Sequence, residues 1–106
     1  MNIQETIKVR FQDWDCILIQ HQYGNGRIAL ELIEDVADPE QEYAESIAIC
    51  TINLPDQLIN DGEVIIKNYS ENVGILEALI KANVVSQPLC YLSSGFINAP
   101  VCKLLI

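Results

Sequence analysis

Basic residues are scarce in this sequence of 106 residues. Six lysines and arginines stand against fifteen aspartates and glutamates, a formal net charge of −9. A protein that draws its affinity from neutralising phosphates needs the opposite balance, so direct nucleic-acid binding is not expected. Histidine is scarcer still. His21 stands alone, whereas a metal centre wants several His, Cys or carboxylate ligands in register, so no metal or other cofactor is expected. Long hydrophobic stretches are missing too. Apolar runs such as Cys16 to Ile19 and Leu104 to Ile106 are far too short to span a bilayer. Met1 to Glu5 shows no basic start leading into an apolar run, which predicts no signal peptide, no membrane association and a cytoplasmic location. Cys-x-x-Cys is absent. Cys16, Cys50, Cys90 and Cys102 lie far apart inside apolar, strand-like runs, and this predicts four reduced, mostly buried thiols rather than two disulfides.

Apolar content is high, with 50% of residues hydrophobic. That excludes disorder as the main state and suits one domain over residues 1–106. The stretch Glu5 to Phe11 alternates, with Ile7, Val9 and Phe11 on one side and Thr6, Lys8 and Arg10 on the other. This is period two, a strand with one wet face. Gln12-Asp13 breaks it. Trp14 to Gln20 is apolar on both faces near its middle, as suits a strand inside the sheet. Asn25-Gly26 then predicts a type I′ hairpin, and Arg27 to Glu34 alternates again. Asp35 to Glu42 reads as an acidic loop, Glu45 to Leu54 as a fourth strand ended by Pro55, and Glu63 to Lys67 as a short fifth.

The period then changes. Val73, Leu76, Leu79 and Ile80 form one stripe of a helix of about three turns, with Ser70 or Asn72 as its N-cap and Asn83 as a left-handed stop. Gly74 near its start suggests a close approach to a neighbour. Leu89 to Leu92 reads as a strand broken at Ser93-Ser94-Gly95, and Phe96 to Ile106 as one or two more, interrupted at Pro100. The order predicts an α+β fold: a curved, mostly antiparallel sheet of about six strands with one main helix packed on it.

Catalytic constellations are not legible. His21 sits at a strand end, Ser93-Ser94-Gly95 lacks a nucleophile elbow's leading glycine, and Gly24-x-Gly26 precedes a strand rather than a helix, unlike a phosphate loop. Two features remain. Glu31, Glu34, Asp35, Asp38, Glu40, Glu42 and Glu45 place seven acids, and no base, in fifteen residues. The rest of the chain carries eight acids and six bases, so the charge is local. Such a run keeps a protein soluble, or steers it onto a basic protein surface. The second feature is a strand-to-helix corner where Lys67, Tyr69, Glu71 and Asn72 gather polar groups. Such corners are often structural, built of a cap and an ion pair, but they also carry recognition. The expected contact residues for a partner are therefore Glu34, Asp35, Asp38 and Glu40 with Lys67, Tyr69, Glu71 and Asn72.

Trp14 and Cys16, then Tyr23-x-Asn25-Gly26-Arg27-x-Ala29-x-x-Leu32, give a recognisable pattern. It continues through Ala48-x-x-Thr51-Ile52-Asn53-Leu54-Pro55, then Glu63-Val64-x-Ile66-Lys67-x-Tyr69-Ser70-Glu71-Asn72-x-Gly74, and ends with Ser94-Gly95-Phe96. Together these segments resemble a family of small uncharacterised proteins encoded on bacterial mobile elements: phages, plasmids and integrated elements. The resemblance spans almost the whole chain. It implies a single small domain without established enzymatic activity and brings no catalytic residues. Acidic proteins of such elements include blockers of host defences. The expectation is thus a non-enzymatic accessory protein of a mobile element that binds a protein with a basic surface, such as a host defence or nucleic-acid-binding protein. Two further readings stand beside it. One is a small-ligand binder or enzyme using a cleft between sheet and helix. The other is a structural homo-oligomer, a homodimer paired edge to edge through the dry run Val101 to Ile106.

Overall fold

A computed structural model describes residues 6–35 and 44–106. Its elements are β1 (Lys8–Phe11), β2 (Trp14–Gln22), β3 (Ile28–Glu34), β4 (Ser46–Ile49), β5 (Glu63–Ile65), α1 (Ile75–Lys81), β6 (Cys90–Ser94) and β7 (Ile97–Lys103). The fold is α+β and its strand pairs are antiparallel. The strands do not form one sheet of about six. Among the described residues, seven strands divide into a four-stranded sheet, order β1-β2-β3-β4, and a three-stranded sheet, order β5-β7-β6.

The division has a local cause. The strand expected over Glu45 to Leu54 changes sheets partway. Ser46–Ile49 pairs with β3 across a register shift at Leu32 and Ile33. Thr51 then bridges Ile66, and Ile52 N–H donates to Ile65 O at 3.1 Å. One extended segment thus serves both sheets.

Leu30 and Leu32 are wholly buried as the alternation from Arg27 to Glu34 predicts, but Ala29, on the other face, is buried as well. The β2–β3 loop is a hairpin of another type than expected. Only Gly26 is left-handed, at φ 85°, and Tyr23 N–H donates to Arg27 O while Gly26 N–H donates to Tyr23 O. That is a three-residue loop closed by a left-handed glycine, not a type I′ pair. Ser93-Ser94-Gly95 leads into a tight turn rather than a bulge: Ser94 opposes Ile97 and Gly95 has φ 61°, as suits glycine at the first position of a two-residue loop. Pro100 does not interrupt β7. It lies one residue beyond the last β5 pair, Ile65–Val101.

The helix is shorter than its stripe suggested. Val73 is 64% exposed and precedes it, while Ile75, Leu76 and Leu79 face the core. The first-turn cap is Asn68, whose Oδ1 accepts from Leu76 N–H at 3.0 Å; neither Ser70 nor Asn72 fills that role. Gly74 permits a left-handed backbone, φ 95°, and a side chain there would meet no atom within 4 Å, so close approach does not explain it. The C-terminus ends as expected. Asn83 has φ 59°, Val84 N–H donates to Leu79 O and Asn83 N–H to Ile80 O, the Schellman pattern.

Leu18, Leu30 and Leu32 of the four-stranded sheet meet Val64, Ile66 and Cys102 of the other, with Ile75 and Leu79 closing the core. The opposite face of β7 packs a smaller cluster, Ile65, Ala99 and Val101, under Ile52, Leu54 and Ile59. β7 is therefore buried on both faces, so the run from Val101 cannot serve as the free edge expected of it. Among the described residues, no helix is long and apolar enough to cross a membrane.

Candidate functional site

The corner after β5 is built on a buried frame. Lys67 N–H donates to Cys50 O at 2.8 Å, pinning the strand end. Ser70–Asn72 makes one 3-10 turn, entered through a left-handed Ser70 at φ 55°. Asn72 was expected at the surface. It is instead 1% exposed, and its Nδ2 donates to Ile49 O at 2.6 Å, tying the corner to β4. A buried amide needs that partner, so Asn72 is a structural fixture and not a contact residue.

What the frame presents is Lys67, Tyr69, Glu71 and Val73. Lys67 Nζ lies 2.5 Å from Glu71 Oε1 and 5.7 Å from the centre of the Tyr69 ring. The hydrogen bond from Lys67 holds the Glu71 carboxyl below its ordinary value, and Glu71 holds Lys67 above its own. Glu71 is open to water and Lys67 partly so, so this pair arranges the surface more than it stabilises the fold.

The β1–β2 turn leans on this corner. Gln12, left-handed at φ 53°, donates from Nε2 to Glu71 O at 3.3 Å. Trp14, two residues on, is 48% exposed. The same hairpin holds the end of β3. Asp35 N–H donates to Asp15 O at 3.0 Å, and the Asp35 carboxylate pairs with Lys8 at 3.2 Å. Glu34 Oε1 accepts from Glu45 N–H at 3.3 Å. The expected residues Glu34, Asp35, Lys67, Tyr69 and Glu71 therefore lie on two flanks of one hairpin end. Asp38 and Glu40 lie outside the described residues.

Gln12 and Trp14 were not singled out as contact residues. The signal was the polar dipeptide Gln12-Asp13 between two strands, which marks an exposed hairpin tip.

His21 is exposed, as its strand-end position suggests, and lies 2.9 Å from Glu31. The Glu31 carboxyl is held low by hydrogen bonds from Ser46 and then His21. Cys16, Cys50 and Cys102 are buried free thiols, whereas Cys90 is exposed. Burial pushes Cys50 up to about 12 and Cys102 up to about 11, so both stay protonated and weakly nucleophilic near neutral pH. Among the described residues no three His, Cys, Asp or Glu side chains cluster as metal ligands do, and no buried side-chain polar atom lacks a partner.

A groove of about 460 Å³ runs between the β2–β3 hairpin and residues 59–63, lined by Gln20, Gln22, Asn25, Arg27, Asn60 and Glu63 among others. It lies away from the sheet–helix junction expected of a ligand cleft. Its Arg27 is committed to the fold, donating to Leu54 O and Gln57 O. Comparison with protein-family models, with curated proteins and with solved structures yields no match.

Proposed function

We propose that this chain is a non-enzymatic binding module that docks a protein with a basic surface, the end of the β1–β2 hairpin forming the contact. One observation carries the reading: this hairpin holds both the corner, through Gln12 and Glu71, and the acidic end of β3, through Asp15 and Asp35. The exposed Trp14 thus belongs to a hairpin whose turn reaches the Glu71 backbone and whose second strand meets Asp35. Exposed aromatic and apolar groups inside a charged rim are what a protein interface uses, the rim steering approach and the centre supplying affinity. Left-handed backbone at Gln12 and Ser70 supports the same place, since strain of this kind collects where a surface is shaped for recognition. Cys50 and Cys102 are buried and protonated, and the single histidine is paired with a carboxylate, which supports the non-enzymatic reading. The resemblance described above supplies the setting, an accessory protein of a mobile element, with a host defence or nucleic-acid-binding protein as the partner class.

Affinity capture from the native host tests this with three baits: wild type, Trp14→Ala/Glu71→Ala, and the variant with Glu34, Asp35, Asp38 and Glu40 neutralised together. The expected result is one protein retained by wild type and lost by Trp14→Ala/Glu71→Ala. The four-site variant binds it with a slower on-rate and a flatter salt dependence, because these charges act over about 8 Å at physiological ionic strength. Equal capture by all three baits overturns the reading.

A further inference from the structure

The edges of the two sheets are guarded unequally. β1 carries Lys8 and Arg10, β4 is four residues long, and β5 is three residues long with Glu63 at its start and Ile52 bonded to its Ile65 O on the outer side. Short length and charge are how proteins keep sheet edges from pairing. β6 has neither device. It spans five residues, and no Asp, Glu, Lys, Arg or His occurs anywhere from Ala82 to Cys102. Leu89, Tyr91 and Phe96 beside it are 56%, 55% and 110% exposed. Among the described residues its neighbour is β7 alone.

The register says which backbone groups lie open. Ser94–Ile97 closes the two-residue turn and is a hydrogen-bonded pair, so alternate residues Leu92 and Ser94 point their N–H and C=O groups at β7. Those of Tyr91 and Ser93 point away. Pro100 fits this phase: it opposes Tyr91, where no N–H toward β6 is called for, and its carbonyl accepts from Ile66 N–H at 2.9 Å on the other side.

We propose that β6 pairs antiparallel with β6 of a second copy of this chain, about a two-fold axis at Leu92, doubling the three-stranded sheet. That register sets Tyr91 of each copy opposite Ser93 of the other and uses every outward N–H and C=O of both residues. A second copy is the occupant because of charge. Two chains of net charge −9 repel across most of their surfaces, and this uncharged edge is where they can meet without opposing like charges. A basic partner is drawn instead to the acidic hairpin end. The pairing is isologous and closes on itself.

Sedimentation velocity over a range of protein concentration tests this. The expected result is a monomer–dimer equilibrium that tightens as salt rises from about 0.01 M to about 1 M, which cuts the screening length from about 30 Å to about 3 Å. Docking of a basic protein weakens over the same range. Tyr91→Glu/Ser93→Glu sets like charges opposite each other and should weaken the dimer at least tenfold or so. Tyr91→Lys/Ser93→Glu sets opposite charges in the same places and should restore it. In wild type, the Tyr91 and Ser93 amides should exchange more slowly with solvent as protein concentration rises, a measurement that needs no variant. A wild type that stays monomeric at about 1 mM in high salt, where even a dimer worth only about 4.1 kcal/mol would be half formed, overturns the proposal. So does a Tyr91→Glu/Ser93→Glu variant that dimerises like wild type, or exchange at both amides independent of concentration.

Discussion

The two sheets differ in where they keep charge. Lys8, Arg10, Asp15, Glu31, Glu34 and Asp35 all belong to the four-stranded sheet or its ends, where Lys8–Asp35, Arg10–Asp15 and His21–Glu31 form pairs. The three-stranded sheet is nearly charge-free, with Glu63 and Lys103 at one margin. One side of the molecule therefore carries a field that acts at a distance, while the other presents almost none. The sheets also share burial unequally. The main core lies between them, and the outer face of the three-stranded sheet packs only loop residues.

Matched truncations on the two cores give the largest expected effects. Leu30, 0% exposed, is surrounded by residues of both sheets, and Leu30→Ala should lower stability by about 2–5 kcal/mol. Val101, 1% exposed, belongs to the smaller cluster, and Val101→Ala should cost about 1.5 kcal/mol for the carbons removed. Denaturant midpoints measure both. Equal losses would break the comparison and make the outer cluster as integral as the main core.

Gly26 comes next. No atom lies within 4 Å of a side chain added there, so Gly26→Val meets backbone strain without a clash, and about 1–3 kcal/mol is expected. Gly26→Asn should cost much less, since asparagine tolerates the left-handed region. A Val variant with the wild-type midpoint would mean that the hairpin does not hold the register of β2 against β3.

Leu30 and Gly26 fall where the sequence was most readable, and Val101 where it was least so. β1 to β3 are consecutive strands, and the alternation of β1 and β3, the apolar run of β2 and the Asn25-Gly26 signal located them from local information. The three-stranded sheet was not legible in that way. Its central strand β7 comes last in the chain, and its apolar run carries no mark of which neighbour it joins. The sheet change at Cys50–Ile52 was hidden for the same reason: a strand buried on both faces reads alike whichever sheet it serves. At the site, Lys67, Tyr69 and Glu71 were visible as a polar corner, but Asn72 was not separable from them. Its burial depends on Ile49 O, twenty-three residues away in the chain.

The thiols provide the smallest expected effect, and they sharpen the contrast between interior and edge. Cys50 and Cys102 are wholly buried while Cys90 is exposed on β6. With no pair formed, the melting temperature should be the same with and without excess reductant. A fall of many degrees would reveal a native disulfide, worth about 2–5 kcal/mol. High pH should separate the thiols further. Burial raises Cys50 from 9.0 to about 12, so the native state keeps a proton that the unfolded chain gives up above about 9. The unfolded state then binds fewer protons, and linkage makes stability fall as pH rises. The contribution of this thiol is intact below 9.0 and lost progressively towards 12; Cys102, raised to about 11, acts in the same direction. Unfolding midpoints at alkaline pH should therefore fall less steeply for Cys50→Ala than for wild type. Parallel slopes for the two would mean that burial does not hold the proton on the interior thiol.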